Sequence, residues 1–166
     1  MKESIGNAIL FYIIITFVVI LIMFFVGSLS YSKAYKVKNK IIEEIEKEET
    51  YNSAAVDEIE AWLAGGGTNG KGIGYRHNTG SLNNRGNCPA SDSALVSLPT
   101  GAKLVNKSSN YEYCVYEIDT CANGREGRCG KYYKVVAYMY FDLPVIGDMI
   151  KIPVSGETMI FTQINS

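Results

Sequence analysis

The sequence predicts an α+β protein: one long N-terminal helix, then a small antiparallel sheet domain. Three observations predict it. Residues 8–26 form a 19-residue, uncharged, overwhelmingly apolar run, and about 20 such residues cross a bilayer core as a helix. Residues 28–50 contain neither Gly nor Pro, so nothing in them stops that helix early. Residues 131–143 alternate with a period of two, and turn residues separate them from shorter runs. That pattern reads as consecutive antiparallel strands.

The helix comes first. The apolar run has no helical stripe, and a helix that is apolar all round is covered by lipid or by other helices. A cleavable secretory signal is the alternative, because Gly27-Ser28-Leu29-Ser30 follows the run. The apolar part of such signals is typically 7–15 residues, shorter than this one. Beyond it, Val37, Ile41 and Ile45 recur every four residues among good helix formers. Glu43 stands four residues before Lys47, a favourable helix pair. One continuous helix over about Ser4–Glu49 follows, on the order of 70 Å long. Residues 1–50 are therefore read as a transmembrane and stalk helix, and 51–166 as one small α+β domain.

The net charge of the 166 residues is −1, with 16 Lys and Arg against 17 Asp and Glu. Bulk electrostatics give no reason for a nucleic-acid partner. The charge is segregated, however. Lys33, Lys36, Lys38 and Lys40 precede Glu43, Glu44, Glu46, Glu48 and Glu49. Two readings stand: a solvated face with a basic collar at lipid headgroups, or pairing of copies, basic block beside acidic block.

All four cysteines, Cys88, Cys114, Cys121 and Cys129, lie beyond the stalk. An even count in a small domain behind an apolar helix points to two disulfides in an oxidising space. Four cysteines allow three pairings. Cys121–Cys129 would close the loop 122–130, and Cys88–Cys114 would tie a long loop to the first solid strand; we favour these two. Zinc is the competitor, but gaps of 25, 6 and 7 residues lack its usual tight pairs. Orientation is contested. The four lysines that follow the run place the domain in the cytoplasm by the positive-inside rule, whereas the cysteines place it outside.

A second helix is expected over about Ala54–Ala64, capped by Asn52 or Ser53 and ended by Gly65. Val56, Ile59, Trp62 and Leu63 form its apolar face, with Trp62 as a core anchor. Asp57, Glu58 and Glu60 fall near its N-terminus, where the dipole favours acids. Residues 65–87 are a loop: 8 of 23 are Gly and 5 are Asn. Its Gly65-Gly-Gly-Thr-Asn-Gly-Lys71 resembles the start of a P-loop, but Gly72 stands where Ser or Thr would hold magnesium, and the segment follows a helix. Gly70, Gly72 and Gly74 fail as a dinucleotide fingerprint for the same reason. His77, the only histidine, is read as a solvated loop residue. No cofactor or metal is expected.

Strands are expected at Ala102–Asn106, Tyr111–Asp119, Lys131–Leu143, Met149–Val154 and Glu157–Ile164, with turns at Pro144–Gly147 and Ser155–Gly156. Pro153 puts its strand at an edge. In the longest strand Tyr133, Val135, Ala137, Met139 and Phe141 share the face expected to meet the helices. Tyr132, Lys134, Val136, Tyr138 and Tyr140 share the other. Tyr132, Tyr138 and Tyr140 form either an exposed contact surface, which suits tyrosine, or the half-buried back of the sheet.

Three stretches carry a resemblance: Lys2-Glu-Ser-Ile-Gly-Asn-Ala8 leading into the apolar run, Tyr31-Ser-Lys-Ala-Tyr35 at its exit, and Phe141-Asp-Leu-Pro-Val-Ile-Gly147 with Ile152-Pro-Val-Ser-Gly-Glu157. With the layout, they resemble the pilin-like proteins, in particular the TadE/TadF-type pseudopilins of tight-adherence pili. The resemblance implies a bacterial, single-pass membrane protein whose sheet domain is extracytoplasmic, and it decides the orientation. It implies assembly with copies or other pilin-like subunits through the N-terminal helix. Glu3 is the candidate to neutralise a neighbour's amino terminus, and Ile9, Phe17, Ile20, Phe24 and Lys33 are the other assembly residues. The expected function is structural, in a pilus or related secretion or adhesion filament, with no small-molecule substrate. The alternative is a single-pass protein whose domain binds a ligand through the tyrosine face and the loop 65–87. An enzyme is disfavoured, since one loop histidine and four cysteines expected to be oxidised leave no nucleophile–base pair.

Overall fold

A computed structural model of the chain describes residues 2–65, 88, 97–106, 111–121, 130–141 and 150–162. Helix α1 spans Lys2–Lys47, 46 residues without a break. Its two halves do different things. Residues from Ala8 to Phe25 expose their side chains, whereas Ala34, Val37, Ile41 and Ile45 are buried. The four-residue spacing of the last three thus marks the seam against the sheet. Charge pairs line this half: Lys40 lies 3.1 Å from Glu43 and 2.8 Å from Glu44. Lys47 reaches Glu44 at 3.5 Å, rather than the Glu43 that spacing alone suggests.

Helix α2 spans Ser53–Ala64. The Ala55 amide donates to the Asn52 side chain at 2.8 Å, which caps the first turn. Gly65 ends the helix in the left-handed region, φ 100°, and its amide donates to the carbonyls of Ala61 and Trp62. Asp57, Glu58 and Glu60 fall beyond the first turn, so the dipole benefit expected for them does not apply. Ile59 and Leu63 are fully buried, while Trp62 packs on the core from its edge.

Five antiparallel strands form one sheet: β1 Lys103–Leu104, β2 Tyr113–Asp119, β3 Gly130–Phe141, β4 Ile150–Glu157 and β5 Phe161–Thr162. The order is β1-β2-β3-β4, and β5 also pairs with β3. β3 is therefore central. It pairs with β2 along Tyr113↔Ala137 to Asp119↔Lys131, and with β4 along Lys134↔Glu157 to Phe141↔Ile150.

The expected turn at Ser155–Gly156 does not exist. β4 runs straight through it, with Ser155 paired to Val136 and Gly156 to Val135. Glycine fits there for another reason. A Cβ on Gly156 would stand 2.9 Å from the Ile42 Cδ1 and 2.9 Å from the Lys38 Cδ, so α1 crosses β4 in close contact. The chain breaks its ladder at Thr158–Ile160 and resumes as the two-residue β5, in place of a long last strand. At the break the Thr158 amide donates to the Tyr133 carbonyl at 2.9 Å, and the Met159 amide donates to the Glu46 carboxylate at 2.9 Å. β1 is likewise shorter than expected. Pro153 stands in β4 opposite Tyr138, at the sheet edge as expected.

Two clusters hold the domain. On the helix side, Val37, Ile41, Ile45, Ile59 and Leu63 meet Tyr113, Val115, Tyr133, Val135 and Ala137. Each fully buried Val, Ile or Leu contributes about 1.5–3 kcal/mol. Tyrosine hydroxyls in this cluster share hydrogen bonds. The Tyr51 hydroxyl donates to the Asn106 Oδ1 at 3.2 Å and lies 3.1 Å from the Tyr113 hydroxyl. On the opposite side Cys114, Tyr116, Ile118, Val136 and Tyr138 pack together, with Tyr132 of β3 beside them and Cys88, Leu98 and Ala102 packed against them.

Candidate functional site

The upper half of α1 is the first candidate. Ile9, Phe17, Ile20 and Phe24 are 56%, 60%, 58% and 78% exposed. At about 100° per residue the four fall within one arc of roughly 80°, on one face of the helix, but the residues between them are exposed as well, so no face of the run is covered by the domain. The Thr16 hydroxyl is satisfied within the run, donating to the Tyr12 carbonyl at 2.8 Å, as suits a lipid-facing helix. Among the described residues this is one helix long and apolar enough to cross a membrane. The Glu3 side chain lies outside the described residues. Lys33 sits half-buried below the run, on the same helix but apart from the four apolar positions.

A structured collar follows the run; sequence reasoning offered its lysines as a basic collar but gave the two tyrosines no place in it. Tyr31 and Tyr35 stack, with ring centroids 6.3 Å apart and planes 25° apart. The Lys38 ammonium stands 4.3 Å over the Tyr35 ring, a cation–π contact. Lys36, the next residue along, is exposed. The sequence signal was the four-residue spacing of the two tyrosines at the exit of an apolar run, where interfacial aromatics gather.

The tyrosine face is the second candidate, and the exposed-surface reading is corrected at Tyr138, which is 6% exposed. Its hydroxyl donates to the Cys114 sulfur at 3.3 Å. Segment 97–102 and Cys88 cover this side of the sheet, so tyrosine here is core. Burial pushes the Tyr116 phenol up to about 12 and raises that of Tyr138 further, with the Tyr116 and Glu112 charges adding to the latter. Tyr132 is half-buried; the Tyr140 side chain lies outside the described residues.

Cys88 and Cys114 form a disulfide with their Cα atoms 5.7 Å apart, one of the two favoured pairings. Cys121 is exposed, and Cys129 lies outside the described residues, as do His77, residues 66–87 and the turn at 144–147. Beside the tyrosine cluster opens a groove of about 520 Å³, lined by Pro99, Ile118, Thr120, Tyr132, Glu157 and Ile160 among others. At its margin the Lys134 ammonium donates to the Glu157 carboxylate at 3.1 Å and to the Ser97 carbonyl. Four separate parts of the chain build this groove, so no local motif announces it.

Comparison with protein-family models, with curated proteins and with solved structures found no match to this chain.

Proposed function

We propose that this chain is a non-enzymatic, single-pass subunit of the bacterial cell membrane, whose sheet domain is extracytoplasmic and whose helix packs copies, or other pilin-like subunits, into a pilus or pilus-like assembly. One observation carries the reading: a single continuous helix is covered by its own domain over Ala34–Ile45 and left bare and apolar over Ala8–Phe25. A bare segment of this kind requires lipid or other helices around it. The unbroken helix also couples the two halves rigidly, so packing of the upper halves fixes how the sheet domains are arrayed. The Cys88–Cys114 disulfide supports an oxidising, extracytoplasmic space for the domain.

The test is on intact cells. The chain should resist alkaline extraction from membranes. Cys88 should react with a membrane-impermeant thiol reagent only after mild reduction. Labelling that needs lysis and no reduction would contradict the extracytoplasmic domain.

A second reading is favoured by the groove beside Tyr132: a single-pass protein whose extracytoplasmic domain binds a ligand. It differs in one respect. A ligand-binding domain needs only one copy in the membrane, whereas a filament subunit needs neighbours along Ile9–Phe24.

A further inference from the structure

We propose that Tyr31, Tyr35 and Lys36 form a docking surface for anionic lipid headgroups, which holds the sheet domain against the bilayer. The inference rests on the reading of α1 as a membrane span. Val26 ends the apolar run, and Ala34, 1% exposed, is already buried in the domain. Eight residues of helix separate them, about 12 Å. The headgroup layer on one side of a bilayer is roughly 5–8 Å thick. Tyr31 therefore lies at the outer margin of that layer, and Ala34 only about 4–7 Å beyond it, a gap that long side chains leaning back along the helix can span.

The chemistry at this level fits headgroups. Tyr31 and Tyr35 are 52% and 46% exposed and stack on one another, which presents an amphipathic ledge of the kind found at membrane interfaces. Helical side chains lean toward the N-terminus of their helix, which here is toward the bilayer. Lys36 is exposed, and a lysine stem can lie along the helix while its ammonium reaches phosphate. Lys38 is held in place, its charge over Tyr35 and its stem beside Gly156. Lys40 is already neutralised by Glu43 and Glu44. The net positive charge of α1 thus lies at its membrane end and the acids at its far end. Parallel copies side by side would set these lysines at one height, against one another. An anionic surface is the complementary partner.

The test uses the full chain in vesicles of phosphatidylcholine alone or with about one third phosphatidylglycerol. Amine modification by an impermeant reagent is read by mass spectrometry at Lys36, with exposed Lys103 in β1 as the reference. Modification of Lys36 should fall at least about threefold in the anionic vesicles. It should recover at about 0.5 M salt, while Lys103 stays unchanged. Equal modification of Lys36 in both lipids, with the chain still resisting alkaline extraction, would overturn the headgroup contact and leave the span intact. Protection in both lipids that grows with the protein-to-lipid ratio would overturn it in favour of a second copy. Release of the chain on extraction would overturn the span reading, and this proposal with it.

Discussion

Gly156 of β4 lies against Ile42 of α1 so closely that a Cβ on the glycine would stand 2.9 Å from the isoleucine Cδ1. The contact joins the edge of the sheet to the helix that carries the apolar run. Gly156→Val should force the two apart and destabilise the domain by about 1–3 kcal/mol. Thermal unfolding of the two proteins in the same detergent reads this as a lower Tm. Gly156→Ala should cost less, because the ends of Ile42 and Lys38 can shift.

Gly130 opens β3 under a harder constraint. A Cβ there would meet the Phe161 carbonyl oxygen at 2.5 Å, and that backbone belongs to the two-residue β5. Gly130→Ala should therefore detach β5 from Gly130 and Lys131. Amide exchange at residues 130–131 and 161–162 should rise, while exchange in Val135–Ala137 should not.

The Cys88–Cys114 disulfide pins the segment that covers the tyrosine side of the sheet. Cys88→Ser should lower stability by about 2–4 kcal/mol, measured by denaturant unfolding. Mild reduction of the unsubstituted chain should bring its stability close to that of the variant. The Cys114 position stays buried in both.

Tyr116 and Tyr138 give the domain an alkaline limit. Burial disfavours both phenolates, holding Tyr116 at about 12 and Tyr138 above its ordinary value. The unfolded chain loses these protons near pH 10, while the folded chain keeps them. Stability from this source is complete below about pH 10 and declines as pH rises toward 12. Spectrophotometric titration should show late-ionising tyrosines whose release coincides with unfolding. Tyr138→Phe should remove part of the pH dependence.

The readability of the sequence followed the range of the interactions. α1 was legible because each of its causes is local: an unbroken apolar run, no helix breaker, and Val37, Ile41 and Ile45 on one line. The faces of β2 and β3 were legible from alternation, which set Val135 and Val136 on opposite sides. Gly156 was not, since a glycine that makes a turn and a glycine that admits a helix look alike in sequence; only Lys38 and Ile42, more than a hundred residues away, distinguish them. Tyr138 was ambiguous for a related reason. Its face was clear, but what covers that face comes from Cys88, Leu98 and Ala102, outside any neighbouring strand.

The central claim is that the bare upper half of α1 meets other copies in the membrane. Placing a photoreactive amino acid at Ile20, 58% exposed and within the apolar run, and irradiating native membranes addresses it directly. Covalent adducts at whole-number multiples of the monomer mass, linked through the apolar helix of each copy, are expected. Adducts to lipid alone, at the mass of one chain whatever its abundance, would contradict assembly through this helix and leave a single anchored domain.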